Sequence, residues 1–215
     1  GVRFCALEEG ELVRVKTNLP GQFSVYNALA AISCARLLGV SLADAAAALE
    51  TAHGAKGRVE PVPTDGDYSI FIDYAVTPDA IENVLTTLRG IAPKRLVMLF
   101  GAGGDRDRKK RPIMGKISAD IADFVIVTSD NPRTEDPMSI IEEILPGVRA
   151  GKAPYKVICD RPEAIRWAID HHEPGDVILL CGKGHEDYQI IGHEKIHMDE
   201  REIVADYLAE RAKRT

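Results

Sequence analysis

The chain has 215 residues, of which 45% are hydrophobic and 28% are charged. This composition excludes disordered, collagen-like and low-complexity proteins, and the length allows one large domain or one domain with part of another. A net charge of −6 argues against a protein that binds nucleic acid or anionic membranes through its overall charge.

The cysteines indicate an intracellular protein, and the charged residues among the first eleven do not fit a signal peptide. The uncharged stretch 19–35 contains proline and several polar residues, so we do not expect it to span a membrane. The chain begins with Gly1 rather than Met and with strand-like sequence, so we expect it to be cut from a longer protein. No CxxC pair is present, which predicts neither a zinc site nor a disulfide framework. The cysteines are Cys5, Cys34, Cys159 and Cys181.

The N-terminal segment predicts a hairpin followed by two helices. Polarity alternates on either side of Glu9-Gly10, as in two strands joined by a tight turn. An Ala- and Leu-rich helix then stops at Gly39, and Ser41 with Asp44 three residues later is a capping pattern for a second helix. The predicted strands are 2–7 and 11–17, and the first predicted helix is 23–38.

Segment 54–58 interrupts the helical pattern, and we place a domain boundary there, which gives a small α+β segment at 1–57 and a second domain at 58–215. In the second domain, continuously apolar strands alternate with helices. This pattern predicts a doubly wound α/β fold with a mostly parallel sheet covered on both faces. The predicted strands are 68–73, 95–100, 124–130, 156–160 and 176–181, and the predicted helices start at Thr77, near 112, after Pro137, at Pro162 and at Asp199.

Polar residues follow each predicted strand. In open parallel sheets, ligands bind beyond the carboxyl ends of the strands, where these residues converge. Each cluster alone is better explained as a helix cap, a tight turn or a solvated loop. Together, glycines and arginines beside carboxylates favour a zwitterionic or phosphorylated ligand. The clusters are Asp73, 101–111, 129–133, Asp160-Arg161 and 182–186.

Standard catalytic motifs are absent from the sequence. Residues 101–106 lack the GxGxxG spacing, and no GxxxxGK phosphate loop is present, so this chain alone is not expected to hold a triphosphate in the usual way. No GxSxG or HExxH motif occurs either. His185-Glu186 is the strongest candidate for an acid–base pair, but a loop histidine is more often structural. We assign no catalytic residue and no metal ligand.

Several motifs, in a fixed order along nearly the whole chain, resemble the Mur ligases of bacterial peptidoglycan synthesis, and most closely those that add meso-diaminopimelate. That family has an N-terminal domain for a UDP-sugar, a central ATPase domain and a C-terminal, Rossmann-like domain for the incoming amino acid. The resemblance implies that 1–57 is the end of the ATPase domain and 58–215 the C-terminal domain. The motifs are GRVEPV (57–62), DYAVTPDAIENVL (73–85), FGAGGDRDRKKRPIMG (100–115), TSDNPRTEDP (128–137) and GKGHEDYQ (182–189).

The resemblance implies an ATP- and Mg²⁺-dependent ligase. ATP phosphorylates the terminal carboxylate of UDP-N-acetylmuramoyl-L-alanyl-D-glutamate, and the amine of the amino acid attacks the acyl phosphate. The phosphate loop and most metal ligands would lie upstream, so this chain is expected to be inactive alone. On the nucleotide, the resemblance implies Asn27 near adenine, Arg58 toward phosphate and Asp73 at the ribose. The implied partners are these small molecules and the upstream domains, with no nucleic acid or membrane, in a monomeric cytoplasmic bacterial protein.

For the amino acid, the resemblance implies the DNPR motif, whose role has a physical reason. Meso-diaminopimelate is lysine with a carboxylate on its distal carbon, and an arginine fork pairs with a carboxylate through two parallel hydrogen bonds. Lysine would leave the fork unpaired, which permits discrimination of up to about 10⁴ to 10⁵. The family's pattern adds a second cation and a site for the distal ammonium. The implied residues are Asp130, Asn131, Pro132 and Arg133, with Arg106, Gly182 and Glu186.

Two positions depart from the family pattern. Val76 replaces the histidine of DYAHTPD, and Ser24 replaces the first Asn of FNxxN. Both affect the expected nucleotide contacts and leave the amino-acid pocket unchanged. Two alternatives stay open: a related ligase that uses L-lysine or another substrate, such as a folylpolyglutamate-type enzyme, and a non-catalytic amino-acid-binding or partner-docking module. The DNPR motif argues against the other ligases.

Overall fold

A computed structural model describes residues 1–214. The chain divides into two units, and the division falls between Ala55 and Lys56. Among the described residues, none of the helices is both long enough and apolar enough to cross a membrane. The assignment of segment 1–57 to an ATPase domain stays a prediction.

The first unit is a hairpin with two helices. Glu9 and Gly10 both have positive φ, 48° and 87°, as a tight hairpin turn requires. Ser41 caps the second helix, because its Oγ accepts a hydrogen bond from the backbone N of Asp44 at 3.0 Å, which confirms the predicted cap. The elements are β1 (Val2–Glu8), β2 (Glu11–Thr17), α1 (Gln22–Leu37) and α2 (Leu42–Glu50), and their core is Ala6, Val15, Ile32, Leu42, Ala45 and Ala46.

In the second unit, strands and helices alternate. The strands are β3 (Glu60–Val62), β4 (Tyr68–Asp73), β5 (Leu96–Phe100), β6 (Phe124–Val127), β7 (Tyr155–Val157), β8 (Asp176–Cys181), β9 (Tyr188–Ile191) and β10 (Glu194–His197). The helices are α3 (Pro78–Arg89), α4 (Lys110–Ile121), α5 (Pro137–Arg149), α6 (Arg161–Asp170) and α7 (Glu200–Ala212). Thr77, Asp136, Asp160 and Asp199 cap four of these helices through side-chain oxygens.

Six of these strands form one sheet in the order β3-β4-β8-β5-β6-β7. All neighbours are parallel except β3, which runs antiparallel to β4 at the edge. Strand β8, the last of these six along the chain, lies between β4 and β5. The carboxyl ends of β4, β8 and β5 are therefore adjacent, although their sequences are far apart.

Two apolar layers cover the sheet. Alternate residues of β8 point to opposite faces: Leu179 packs with α3, α4 and α5, whereas Leu180 packs with α6 and α7. Both residues are fully buried. This two-sided packing explains why the strands read as continuous apolar runs, and it confirms the predicted doubly wound, mostly parallel α/β fold.

The main differences from the predicted elements are two shorter strands and two features that were not predicted. Strand β6 ends at Val127 and β7 at Val157, so the polar ends of the predicted strands belong to loops. The antiparallel edge strand β3 and the β9–β10 hairpin were not predicted. All four residues of β10 are exposed, so no alternation of polar and buried residues marks that strand in the sequence.

Candidate functional site

The expected convergence at the carboxyl edge of the sheet is present in the second unit. The turn after β5 touches the loop after β6, because Gly104 N donates to Asn131 O at 2.9 Å. The loop after β8 touches the end of β4, because Gly182 N donates to Asp73 O at 2.9 Å. Four polar clusters that are distant in sequence thus meet at one edge.

The glycines of the turn after β5 are required by close contact. A Cβ on Gly104 would lie 1.9 Å from Pro132 O, and a Cβ on Gly101 would lie 2.4 Å from Thr128 O. Any side chain at these positions would push the two loops apart. The glycines therefore set the spacing between the turn and the DNPR loop.

Arg133 is held against that turn. Its Nη1 donates to Gly104 O at 2.8 Å and lies 3.5 Å from Asn131 O. Its φ is 52°, a conformation that costs a non-glycine residue of order 1 kcal/mol and is typical of functional sites. Pairing with β9 stabilises it, since Arg133 N donates to Ile190 O at 3.0 Å and Gly192 N to Arg133 O at 2.7 Å. Within residues 1–214, Nε and Nη2 of Arg133 make no hydrogen bond, so one edge of its fork stays available.

Arg106 lies close to Arg133. Gly103 separates them: a Cβ there would be 2.9 Å from Arg133 Nη1 and 3.7 Å from Arg106 Cγ. Arg106 is exposed, and its Nη1 donates to Asp105 O at 3.1 Å. Both arginines therefore border Gly103, which makes this side of the site attractive to an anion.

Glu186 brings a carboxylate to the same edge, from the loop after β8. Its Oε2 accepts from Asn131 Nδ2 at 2.9 Å and from Lys183 Nζ at 2.8 Å. Its Oε1 lies farther from its donors, the hydroxyls of Tyr74 at 3.4 Å and Tyr188 at 3.3 Å. Burial raises the pKa of Glu186, but the hydrogen bonds from Lys183 and Asn131 outweigh burial and leave that pKa below its ordinary value. The group is therefore a carboxylate at neutral pH.

Asp130 adds a second acidic group. It is 6% exposed, and its Oδ1 accepts the backbone N–H of Asn131 at 2.6 Å. Its Oδ2 is buried without a hydrogen-bond partner among the described residues. Gly182, with φ of 113°, lies directly beside that oxygen, since a Cβ on it would be 2.7 Å from Oδ2. Pro132, next along the loop, is buried and contacts the glycine turn.

The residues expected at the nucleotide do not all fall in one unit. Asn27 is exposed on α1 of the first unit. In the second unit, Arg58 is exposed and its guanidinium carbon lies 5.4 Å from the ring centre of Tyr74. Asp73 is 6% exposed and accepts backbone N–H groups of Val59 and Ala75, both at 2.8 Å. Burial raises the pKa of Asp73, and these hydrogen bonds lower it in part.

The two residues that depart from the family pattern, Ser24 and Val76, both make hydrogen bonds. Ser24 is buried in the first unit, and its Oγ donates to Pro20 O at 2.6 Å. The carbonyl of Val76 accepts from Lys110 Nζ at 2.8 Å. Neither contact involves a side chain of the candidate amino-acid site.

The sequence places Arg111, Arg161 and Lys183 in the polar clusters but does not predict that all three are fully buried. Arg111 pairs with Glu135 and Glu143 and donates to Gly103 O at 3.2 Å. Arg161 and Lys183 have no exposed surface either. The sequence does contain a signal for the burial of Lys183, which lies between Gly182 and Gly184 directly after a continuously apolar strand. In the structure both glycines have positive φ.

Arg161 connects the loop after β6 with the end of β8 through hydrogen bonds. It pairs with buried Glu200 at 2.8 Å and donates to Ser129 O at 3.2 Å and to Cys181 O at 2.8 Å. These carbonyls lie just before the DNPR motif and the loop after β8. Among residues 1–214, no group of three or more His, Cys, Asp or Glu side chains is arranged to hold a metal ion.

Comparison with known proteins gives a consistent result. Residues 57–184 match the family model described as "Mur ligase, glutamate ligase domain". A "UDP-N-acetylmuramoyl-L-alanyl-D-glutamate--2,6-diaminopimelate ligase" of Caldanaerobacter subterraneus subsp. tengcongensis is 50% identical over 99% of this chain and 44% of its own length. A protein of the same name from Trichormus variabilis is 50% identical over 95% of this chain and 41% of its own length.

Solved structures agree. A structure of a ligase with that same name superimposes with a TM-score of 0.72 and 36% identity, over 98% of this chain and 43% of the other. The "UDP-N-acetylmuramate-alanine ligase MurC" of Thermotoga maritima gives a TM-score of 0.67 and 25% identity, over 94% of this chain and 40% of the other.

The doubly wound, mostly parallel sheet and the match over residues 57–184 define the class of this domain as a ligase domain. The chain belongs to the Mur ligase family. It spans less than half the length of the curated relatives that it matches.

Proposed function

We propose that this chain is the amino-acid-binding portion of an ATP-dependent C–N ligase that adds meso-diaminopimelate to UDP-N-acetylmuramoyl-L-alanyl-D-glutamate. The names of its relatives support this reaction. Because the chain spans less than half of those relatives, the activity is that of the full-length protein.

The observation that carries the proposal is that Asn131 contacts two residues of opposite charge, Arg133 and Glu186. Its carbonyl lies 3.5 Å from the Arg133 guanidinium, and its side-chain amide donates to Glu186 at 2.9 Å. The distal end of diaminopimelate carries both a carboxylate and an ammonium. The free edge of the Arg133 fork would receive the carboxylate, with Arg106 adding a second positive charge, while Glu186 and the carbonyl of Gly182 would receive the ammonium.

In this proposal the chain contributes binding and orientation. The substrate's terminal carboxylate is phosphorylated by ATP, and the amine at the other end of the amino acid then displaces phosphate to form the amide bond. Fixing the distal end places this amine and restricts its motion, which lowers the barrier to attack. Asp130, Asn131 and Pro132 hold the loop, and Asp130 Oδ2 remains as an acceptor inside it.

The nucleotide contacts are part of the same proposal. Arg58 is exposed and free to approach a phosphate, and Asp73 retains acceptor capacity beyond its two backbone hydrogen bonds. Asn27 is exposed on its helix. Mg²⁺ would neutralise the phosphates of ATP, and we expect its ligands mainly in the preceding domains.

The test is an assay of phosphate release by the full-length protein with diaminopimelate or L-lysine. Arg133→Ala should lower kcat/KM for diaminopimelate by at least about 10²-fold, the effect of breaking a hydrogen-bonded charge pair. Arg133→Lys should recover little, because an ammonium keeps the charge but loses the fork. The matched control is Arg149→Ala, which removes an exposed arginine bonded to the Tyr155 hydroxyl at 3.1 Å.

Two results would contradict the proposal. One is equal kcat/KM for lysine and diaminopimelate, which would favour the lysine-adding alternative. The other is an Arg133→Ala variant as active as Arg149→Ala, which would remove the proposed role of the fork.

A further inference from the structure

Lys183 is a fully buried lysine whose burial needs an explanation. Its side chain has no exposed surface, and its Nζ donates to Asn131 Oδ1 at 2.8 Å and to Glu186 Oε2 at 2.8 Å. The Nζ also lies 5.1 Å from the ring centre of Tyr188. Burying a lysine is costly unless its partners compensate. All three partners belong to the candidate site or border it.

The two carboxylate oxygens of Glu186 differ in the strength of the hydrogen bonds that they accept. Oε2 accepts from both Lys183 and Asn131 at 2.8 and 2.9 Å. Oε1 has only the two tyrosine hydroxyls, at 3.3 and 3.4 Å, distances at which hydrogen bonds are weak. The carboxylate is therefore anchored through one oxygen and offers the other.

The backbone is shaped to bring Lys183 inward. Gly184 has φ of 53°, and a Cβ there would lie 2.5 Å from the Cβ of Tyr74. Gly182 packs equally close to Asp130 on the other side. A glycine on each side thus lets the loop turn between these two neighbours and direct the lysine under Glu186.

We propose that Lys183 is a positioning residue, which holds Glu186 as a carboxylate with Oε1 presented to the distal ammonium of the amino acid. This inference rests on the proposed function and deepens it. Lys183 itself does not touch the ligand, because its Nζ is occupied by Asn131 and Glu186. It acts on affinity for the amino acid through Glu186 and has no contact with the nucleotide.

The test is a double-mutant cycle in the full-length protein, with Lys183→Met, Glu186→Gln and the double variant. Lys183→Met should raise KM for diaminopimelate about tenfold or more, the usual effect of losing a hydrogen bond to a charged group, and should leave KM for ATP within about twofold. If Lys183 acts through Glu186, adding Lys183→Met to Glu186→Gln should raise KM by less than about twofold, because the two effects are not additive.

The matched control is Lys116→Met, which removes an exposed lysine paired with Asp120 one helical turn away. If Lys183→Met does not fold, the comparison of Glu186→Gln with the double variant still tests the proposal, because the double variant buries neither charge and the glutamine of the single variant can still accept from the Lys183 ammonium; a rise in KM above about twofold between these two variants would overturn the positioning role. Additive effects on KM, or equal rises in KM for ATP and for diaminopimelate, would overturn the positioning role.

Failure of the underlying function has a different signature. If the unmutated protein shows no turnover that depends on diaminopimelate, the proposed function is wrong and this inference falls with it. If the unmutated protein is active and Lys183→Met matches Lys116→Met, this inference alone is wrong.

Discussion

The two edges of the six-stranded sheet use charged residues differently. At the carboxyl edge, Arg111, Arg161 and Lys183 have no exposed side-chain surface. At the amino edge, Arg89 and Arg95 keep 34% and 31% of their side chains exposed while they pair with aspartates. Burying an ion costs several kcal/mol of desolvation. At the amino edge the buried ion is the Asp176 carboxylate, which pairs with Arg95, whereas at the carboxyl edge three cations are buried. The buried cations are thus found at the edge that carries the candidate site.

The segments that these cations connect also differ. Arg111 and Arg161 donate to backbone carbonyls of the loops that carry Arg106, Asn131 and Glu186. Arg95 pairs with Asp176, at the first position of β8, through two hydrogen bonds of 3.0 and 2.6 Å, and donates to the carbonyl of His171, just after α6, at 3.1 Å. The amino-edge contacts therefore connect strand starts with helix ends, whereas the carboxyl-edge cations contact the loops of the candidate site.

The largest expected effect is at the buried pair of Arg161 and Glu200. Arg161→Met would leave the Glu200 carboxylate buried and unpaired, and we expect the free energy of unfolding to fall by about 3 to 5 kcal/mol. Urea unfolding of this chain, followed by the fluorescence of Trp167, measures it. Trp167 is the only tryptophan of the chain and lies on α6, so the signal reports the second unit.

The double variant Arg161→Met with Glu200→Met is the control for this prediction. Two apolar side chains of similar length should recover most of the loss, because the unpaired charge is gone. If Arg161→Met alone lowers the free energy of unfolding by less than about 1 kcal/mol, the Glu200 carboxylate is not confined to a buried site in the variant, and the contrast between the two edges is wrong.

Much of the fold was readable in the sequence because its signals are local. The bounds of β4 and β8 match the predicted 68–73 and 176–181, since both are continuous apolar runs with clear ends. The meeting of Asp73, the glycine turn and the DNPR loop followed from one rule about parallel sheets. The boundary at 57/58 rests on a composition change and stays a prediction.

The environment of each cation was not readable, because it depends on tertiary partners. Arg106 and Arg161 both lie near ends of predicted strands, yet one is exposed and the other is buried on Glu200, 39 residues away. Lys183 likewise needs Asn131, 52 residues away. Sequence spacing indicates which loops converge but not which side chains turn inward.

An intermediate effect is expected at Glu135, which lies two residues after the DNPR motif and pairs with Arg111. Its hydrogen bonds with Arg111 lower the pKa of Glu135 to about 2, from an ordinary 4.5, despite the opposing effect of burial. A carboxyl group with a lowered pKa in the folded state stabilises the protein above its unfolded pKa, and this stabilisation is lost as the pH falls through the folded pKa. Glu135→Gln should therefore cost about 1 kcal/mol at pH 7, a value reduced by solvent screening.

The pH dependence of the Glu135 effect is the sharper measurement. The difference in unfolding free energy between the unmutated chain and Glu135→Gln should be constant from pH 7 to about pH 5 and should shrink between about pH 4.5 and pH 2. Glu142→Gln, on the neighbouring helix α5, is the matched control. A difference that does not change with pH would show that Arg111 does not stabilise the ionised form of Glu135.

The smallest effect is expected at the amino edge. Arg89→Met removes the ion pair with Asp123, whose side chain is 44% exposed. Asp123 Oδ2 still accepts the backbone N–H of Leu96 at 2.7 Å, so no polar group is left buried without a partner. We expect a loss of about 0.5 kcal/mol or less, and less again at high salt, because exposed pairs are weak and screened. Unfolding in urea at low and high ionic strength measures the loss of unfolding free energy and its dependence on salt. If Arg89→Met lowers the unfolding free energy as much as Arg161→Met does, the charged residues of the two edges stabilise the fold equally and the contrast is wrong.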